Sequence, residues 1–292
     1  MAKTLEQGFE TFLSRLVPLT SEHDIAKSHK DSVKSCLENN FECHSFFEIG
    51  SFGNETGVRH FSDTDYFAAI PANNLYNDSA YTLRKVKEAL QDTFWSTEGI
   101  AVNAPAVIVP FGQYASETLE ITPCKFNEIV ETPVGKKSSY DIPDFDGGWM
   151  QSSPLAHNAY VKREDERLSY KLKPLIKLIK AWKFYNNVPI SSFYLELRTT
   201  KYAEGKTTIV YDIDLKNVIK ILVEKELPSM QDPMGISGYV KACSSTLKYL
   251  DALSKAKTGF VRTEKAVGKR ESNLDDCFYW WNLFYNYEFP SR

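Results

Sequence analysis

The sequence predicts an α+β protein whose first half mixes strands with helices and whose second half is mainly helical. Up to about residue 122, short apolar or aromatic-rich runs of strand length alternate with segments of helical period. Residues 124–153 then hold three glycines and two prolines, a composition typical of a loop or hairpin. Beyond them the chain has mostly helical length and period. We therefore predict two domains, residues 1–150 with N-terminal helices and residues 151–292.

The individual elements follow from apolar spacing along the chain. Residues 4–17 place five large apolar side chains on one side of a helix: Leu5, Phe9, Phe12, Leu13 and Leu16. A second helix is predicted from Ser21 to about Asn39, and a third over 80–95. Strands are predicted at 41–49, 64–70, 105–111 and 117–122. Second-half helices are predicted at 155–163, 168–187, 190–199, 214–226, 236–256 and 272–286.

Composition and charge exclude several classes of protein. With 42% hydrophobic and 25% charged residues, the chain is not disordered. Its net charge of −3, from 35 basic and 38 acidic residues, is unlike that of a general nucleic-acid binder, so no stable nucleic-acid partner is expected. No apolar run approaches the roughly 18–20 residues that span a bilayer. Without a signal peptide or Cys-x-x-Cys pair, a cytoplasmic protein with reduced thiols and no membrane partner is expected.

Three carboxylates form the most informative pattern. Asp63 and Asp65 lie two residues apart on a predicted strand, so both point to the same face. Such a pair repels itself unless a cation neutralises it, and Mg²⁺ prefers oxygen ligands of this kind. Glu120 lies on a later strand between apolar neighbours. Together these three acids predict a site for two Mg²⁺ ions about 3.5–4 Å apart, with Mn²⁺ as a substitute, as nucleotidyl transfer requires.

Gly50 and Ser51 follow the strand that precedes the acidic pair. Glycine lets a backbone approach a phosphate closely, and the backbone amides and serine hydroxyl of such a turn bind anions. Each feature alone is also typical of ordinary structure: Asp-x-Asp of a solvated turn, a strand glutamate of an exposed face, Gly-Ser of a simple turn. The three features in this order are more specific for nucleotidyl transfer, because the acids would bind the metal ions and the Gly-Ser turn would bind the phosphates.

The order Gly50-Ser51, Thr56, then Ser62-Asp63-Thr64-Asp65 resembles the DNA-polymerase-β-like nucleotidyltransferases. Among them the chain is similar to the CD-NTases, the bacterial relatives of cyclic GMP–AMP synthase, with Glu120 ahead of Pro123 matching the third acid. The resemblance implies a nucleotidyltransferase core over 1–150, a helical lobe like the C-terminal half of oligoadenylate synthetase over 151–292, and an active site in the cleft between them. It departs at Asn54-Glu55, where family members often carry Arg-Gly.

The second half carries the resemblance in the segments LIKLIKAWK and ISSFYLEL. By resemblance, Lys180 binds the triphosphate of the donor nucleotide and Ser192 hydrogen-bonds its phosphates. Phe193 or Tyr194 then stacks on a base, and Phe193 is favoured because it follows the matched serine. Lys173, Lys177 and Lys180 lie on one side of the predicted helix over 168–187. From the residues alone, this row of lysines is equally typical of a solvated basic face, and the two aromatic residues are typical of core packing.

The function implied by the resemblance is template-independent synthesis of a cyclic di- or trinucleotide from nucleoside triphosphates, ATP among them. Glu120 is expected to help deprotonate the attacking hydroxyl. The product would diffuse to a separate effector in CBASS-type anti-phage defence, and a monomer is expected because the fold needs no dimer. Two alternatives stay open: transfer to another acceptor (a linear oligonucleotide, an RNA end, a protein or a small molecule), and a nucleotide sensor that has lost turnover.

Overall fold

A computed structural model of the chain describes residues 4–17, 20–59, 64–111, 117–144 and 146–292. They pack as two compact units. The sheet unit comprises Pro18–Glu55 and Ser62–Tyr160, and the helical unit comprises Met1–Val17, Thr56–Phe61 and Val161–Arg292. The first helix therefore packs with the C-terminal half of the chain. The division into functional domains at residue 150 stays a prediction.

The helices and strands alternate in the first half, whereas helices dominate the second. The helices are α1 (Leu5–Leu16), α2 (Thr20–Phe41), α3 (Gly50–Gly53, one turn), α4 (Ser79–Thr93), α5 (Pro154–Arg167), α6 (Leu172–Tyr185), α7 (Ser192–Ala203), α8 (Tyr211–Glu224), α9 (Thr246–Lys269) and α10 (Leu274–Phe284). The strands are β1 (Ser45–Ile49), β2 (Thr64–Ala69), β3 (Ala101–Asn103), β4 (Ala106–Phe111), β5 (Glu117–Val130), β6 (Lys137–Pro143), β7 (Trp149–Ser152), β8 (Met230–Gln231) and β9 (Tyr239–Val240). The predicted α+β class is confirmed.

A mixed sheet forms the centre of the sheet unit. Its strand order is β1–β2–β5–β4–β3, and β6 joins the second half of β5 and pairs in turn with β7. β2 and β5 run parallel, while β1–β2, β3–β4 and β4–β5 are antiparallel. One face of β2 presents Tyr66 and Ala68 to a core shared with α2 and α4, and Ile70, just after the strand, joins the same core. The other face presents Phe67 and Ala69 to a smaller cluster that includes Cys124 and Ile142.

An aromatic core holds the helical unit together. Phe9 and Phe12 of α1 pack against Trp281 and Tyr285 of α10, with ring centroids 5.0 Å apart for Phe9 and Trp281 and 4.4 Å apart for Phe12 and Tyr285. Trp182 of α6 stacks on Phe284 of α10, with ring centroids 6.0 Å apart. These rings are fully buried, and aromatic side chains of this kind bury about 150–250 Å² each. Among the described residues, none of the helices combines the length and apolar character needed to cross a lipid bilayer.

Residues 124–153, predicted as a loop or hairpin, complete β5 and form β6 and β7, which pair as antiparallel hairpins. One sequence prediction of secondary structure is wrong. The helix predicted over 236–256 is replaced by the β8–β9 hairpin and by α9, which starts at Thr246. In that hairpin the carboxylate of Asp232 accepts hydrogen bonds from three backbone amides, those of Met234, Ile236 and Ser237. These side-chain hydrogen bonds stabilise the turn, so the segment forms a hairpin instead of the predicted helix.

Candidate active site

Two of the predicted acids face each other across neighbouring strands of the sheet unit. In the parallel pairing of β2 with β5, Asp65 lies directly opposite Glu120. Residues opposite each other in a ladder project to the same face, with strands about 4.8 Å apart. Both side chains are partly exposed, whereas their neighbours Tyr66 and Ile121 point into the core. The alternation of each strand thus places a carboxylate on the face that α2 and α4 do not cover.

Gly50 brings the backbone of the adjacent turn against one of these carboxylates. The residue has φ of +65°, a conformation that side chains with a Cβ rarely adopt. A Cβ added to it would lie 1.9 Å from Oδ2 of Asp65 and 2.7 Å from Cγ of the same residue. Asp65 also pairs with Ile49 across β1, so the strand register holds the carboxylate there. Gly50 and Ser51 are the first two residues of the one-turn helix α3.

The third predicted acid, Asp63, lies outside the described residues, together with Ser62. Among the residues that the structure does describe, no group of three His, Cys, Asp or Glu side chains is arranged to hold a metal ion. The donor set that is described fits a hard divalent cation, because Asp65 and Glu120 supply carboxylate oxygens from one face of adjacent strands. The two-metal arrangement stays a prediction.

Tyr66 is not a candidate base in this region. Burial raises the pKa of its phenol far above the ordinary value, and the nearby Glu48 carboxylate raises that pKa further. The phenol therefore stays protonated at neutral pH. Its ring stacks on Phe46, 4.7 Å between centroids, on the core side of the sheet.

In the helical unit, Lys180 is buried rather than solvated. Its ammonium donates hydrogen bonds to Oε2 of Glu196 at 2.5 Å and to Oγ1 of Thr56 at 2.8 Å. The Thr56 hydroxyl in turn donates to the same Glu196 oxygen at 2.5 Å. Only 3% of the Lys180 side chain and 8% of the Glu196 side chain are exposed. The alternative of a solvated basic face does not hold for this lysine.

Ser192 and Phe193 are the first two residues of α7. Ser191 caps the helix by accepting a hydrogen bond from the amide of Tyr194. The Ser192 hydroxyl accepts a hydrogen bond from Nζ of Lys183 at 2.5 Å. Phe193 is 40% exposed, whereas Tyr194 is fully buried and donates its hydroxyl to the carbonyl of Pro228. Of the two aromatic residues considered for base stacking, only Phe193 presents its ring outside the core.

Sequence reasoning assigned no role to Glu196 and Lys183. A signal for the first was present, because Glu196 follows Ser192 by four residues and so shares its helix face. Its pairing with a lysine 16 residues earlier depends on how α6 packs against α7, which spacing alone does not reveal. The contact of Lys183 with Ser192 depends on the same packing.

Comparisons with known proteins identify the family to which the chain belongs. A family model described as the Second Messenger Oligonucleotide or Dinucleotide Synthetase domain matches residues 3–164, which include the Gly50 turn and both acidic strands. Over its full length the chain is 25% identical to a probable cyclic nucleotide synthase of Bacillus cereus strain VD146, covering 99% of that relative.

Solved structures share the fold at low sequence identity. The CdnC protein of Escherichia coli MS115-1, solved with ATP, matches with a TM-score of 0.74 and 15% identity, over 98% of each chain. The DncV protein of Vibrio cholerae, in a form that binds 3′-deoxy ATP, matches with a TM-score of 0.73 and 12% identity, over 95% of this chain and 93% of that one. The fold implied by the resemblance is therefore confirmed.

Proposed function

Because the chain belongs to the family of Second Messenger Oligonucleotide or Dinucleotide Synthetase domains, and so to the CD-NTases, we propose that it joins nucleoside triphosphates into a cyclic di- or trinucleotide. The observation that carries the proposal is the register of β2 on β5, which sets Asp65 opposite Glu120 beside the Gly50 turn.

In the proposed reaction, a ribose hydroxyl oxygen attacks the α-phosphorus of a triphosphate. The new O–P bond forms as the bond to pyrophosphate breaks, and the hydroxyl proton passes to the carboxylate of Glu120. Asp63, Asp65 and Glu120 would hold two Mg²⁺ ions, or Mn²⁺ in their place. When bound, such ions lower the pKa of an attacking hydroxyl and neutralise charge on the leaving group. The backbone at Gly50 and the hydroxyl of Ser51 bind phosphate oxygens.

The helical unit contributes nucleotide contacts to the proposal. Phe193 stacks on a base, a contact worth about 1–3 kcal/mol that tolerates any base identity. Ser192 and the lysine-bearing helix α6 contact the phosphates, with Lys180 as the lysine that the resemblance assigns. The exposed ring of Phe193 and the polar start of α7 support these roles.

The wider setting is also part of the proposal. The protein works in the cytoplasm as a monomer and uses ATP among its substrates. Its diffusible product activates a separate effector in CBASS-type anti-phage defence. No stable nucleic-acid partner is expected, in keeping with the net charge of −3.

The test is product analysis with a charge-matched control. The purified chain is incubated with all four ribonucleoside triphosphates and either Mg²⁺ or Mn²⁺, and the products are treated with phosphatase and identified by mass spectrometry. We expect a phosphatase-resistant cyclic product that Asp65→Asn abolishes. Asp92→Asn, which removes an equal charge from the exposed end of α4, is the control and should leave it.

Other outcomes identify the alternatives. Phosphatase removes the terminal phosphates of a linear product, which then has one phosphate fewer than it has bases, whereas a cyclic product keeps one phosphate for each base. Transfer to a different acceptor adds mass to that acceptor. Nucleotide binding without pyrophosphate release indicates a sensor. Absence of any resistant product with either metal would refute cyclic nucleotide synthesis.

A further inference from the structure

The start of α7 is held at two points by a single hairpin of the helical unit. The amide of Ser191 donates a hydrogen bond to the carbonyl of Ala242 at 2.8 Å, and the hydroxyl of Tyr194 donates one to the carbonyl of Pro228 at 2.8 Å. Pro228 lies just before β8 and Ala242 just after β9, so the two acceptors are the two ends of the β8–β9 hairpin. Phe193 lies between the two donors along the chain. The hairpin therefore fixes the backbone on both sides of Phe193.

Two side chains of α7 meet at the carbonyl of Pro228. The guanidinium of Arg198 also donates a hydrogen bond to this oxygen, at 3.0 Å, and lies 5.2 Å from the centroid of the Tyr194 ring. Tyr194 is fully buried, and burial raises the pKa of its phenol, so the hydroxyl keeps the proton that it donates. Tyr194 and Arg198 are four residues apart and share one side of the helix. That side of α7 rests on the hairpin, whereas Phe193 is 40% exposed.

Asp232 keeps this hairpin closed. The strands β8 and β9 have only two residues each, and a two-stranded hairpin is at best marginally stable by itself. The buried Asp232 carboxylate accepts hydrogen bonds from three backbone amides of the turn, and the amide of Asp232 donates one to the carbonyl of Gly238 at 2.8 Å. Opening of this turn would separate Pro228 from Ala242 and so release the start of α7.

We infer that Tyr194 and Asp232 are positioning residues that hold the ring of Phe193 where it stacks on the base of a nucleotide. The inference rests on the proposed base contact of Phe193 and deepens it. Ordering an exposed side chain on binding costs affinity, and a backbone that is already fixed lowers this cost. The hydroxyl of Ser192 has a support of its own, the hydrogen bond from Lys183 on α6. The hairpin therefore acts on recognition of the base rather than of the phosphates.

The experiment measures binding by calorimetry with Mg²⁺ and two probes: an ATP analogue whose α–β bridge is a methylene group, which prevents turnover, and inorganic triphosphate, which has no base. Tyr194→Phe leaves Arg198 as a donor to Pro228, so the fold should be retained. We expect this variant to raise the Kd for the analogue about threefold and to leave the Kd for triphosphate unchanged. Asp232→Asn removes one carboxylate oxygen from the turn amides and should act in the same direction. Tyr279→Phe removes a hydroxyl from a ring of α10 that is 55% exposed, and this control should change neither Kd.

A double-mutant cycle with Phe193→Ala separates positioning of the ring from general damage to the fold. Phe193→Ala should raise the Kd for the analogue by about fivefold or more, because it removes the stacking ring. In that background Tyr194→Phe should have no further effect, since no ring is left to position. Additive effects of the two changes, an equal loss of affinity for triphosphate, or unchanged analogue binding by Tyr194→Phe would overturn the inference.

The remaining outcomes separate this inference from the proposed function. If Asp232→Asn does not fold, the cycle of Phe193 and Tyr194 decides alone. Wild-type protein that binds the analogue but makes no cyclic product from nucleoside triphosphates refutes the synthase function, while the cycle still measures the positioning of the ring. Wild-type protein that binds no nucleotide refutes both. A Phe193→Ala variant that binds the analogue like the wild type refutes the base contact and the inference with it.

Discussion

Replacing Gly50 by alanine tests whether the close approach of the turn to Asp65 matters for catalysis. The new Cβ would lie 1.9 Å from Oδ2 of Asp65, and ordinary contacts begin at 3.4 Å, so the carboxylate must retreat by about 1.5 Å. A displacement of about 1 Å in a catalytic group can lower a rate by about 100-fold. The left-handed backbone adds a cost of about 1–2 kcal/mol, which affects stability rather than chemistry.

A second glycine isolates the backbone cost from the collision. Gly238 has φ of +64°, nearly the value at Gly50, but a Cβ there would meet nothing within 4 Å. We expect both alanine variants to melt a few degrees lower, at about 2–4 °C per kcal/mol. Only Gly50→Ala should lose at least about 100-fold in the initial rate of pyrophosphate release. Equal rates for the two variants would show that the position of the Asp65 carboxylate does not limit the reaction.

Two predictions concern stability. Thr56→Val removes the hydroxyl that is hydrogen-bonded to both Lys180 and Glu196, and should lower the unfolding free energy measured in urea by about 1–3 kcal/mol. Thr56→Ser keeps a hydroxyl and should not lower it. Equal stability of the valine variant and the wild type would show that these hydrogen bonds do not stabilise the fold. Burial raises the pKa of Asp212 above 3.8, although the attraction of Arg270 lowers it. The carboxyl therefore binds its proton more tightly in the folded protein than in the unfolded one. As a result, the unfolding free energy falls as the pH rises from about 4 through the pKa of the folded state. Asp212→Asn cannot ionise and should flatten that decline, measured by urea unfolding from about pH 4 to about pH 6; parallel curves for the two proteins would contradict it.

The carboxylate face could be predicted from sequence because it depends on a local rule. Successive residues of a strand alternate between faces, which places Asp65 away from the core that Tyr66 enters. The alternation on β5 likewise separates Glu120 from Ile121. What joins Asp65 to Glu120 is the register between two strands that are more than fifty residues apart. Register follows from packing of the whole sheet, so the sequence motif suggested the pair but could not establish it.

The lysines of α6 show that residue spacing alone does not predict the environment of a side chain. A row of lysines on one side of α6 is compatible with a solvated face, a phosphate contact or a buried pair, because periodicity gives direction and not environment. Burial of Lys180 is decided by Glu196 on another helix and by Thr56, 124 residues away in sequence. The helix predicted over 236–256 was wrong for a related reason. There Asp232 satisfies the backbone amides of a turn, and this local bonding outweighs helical period.

The steric exclusion between position 50 and the acid at position 65 has a consequence for reading related sequences. A side chain at the first position and a carboxylate at the second compete for the same few cubic ångströms. Through evolutionary time the two positions should therefore change together, and a homologue that gains bulk after β1 should forfeit its acid on β2 or relocate it. In an alignment, a residue larger than glycine at position 50 therefore predicts that the carboxylate at position 65 is lost or displaced.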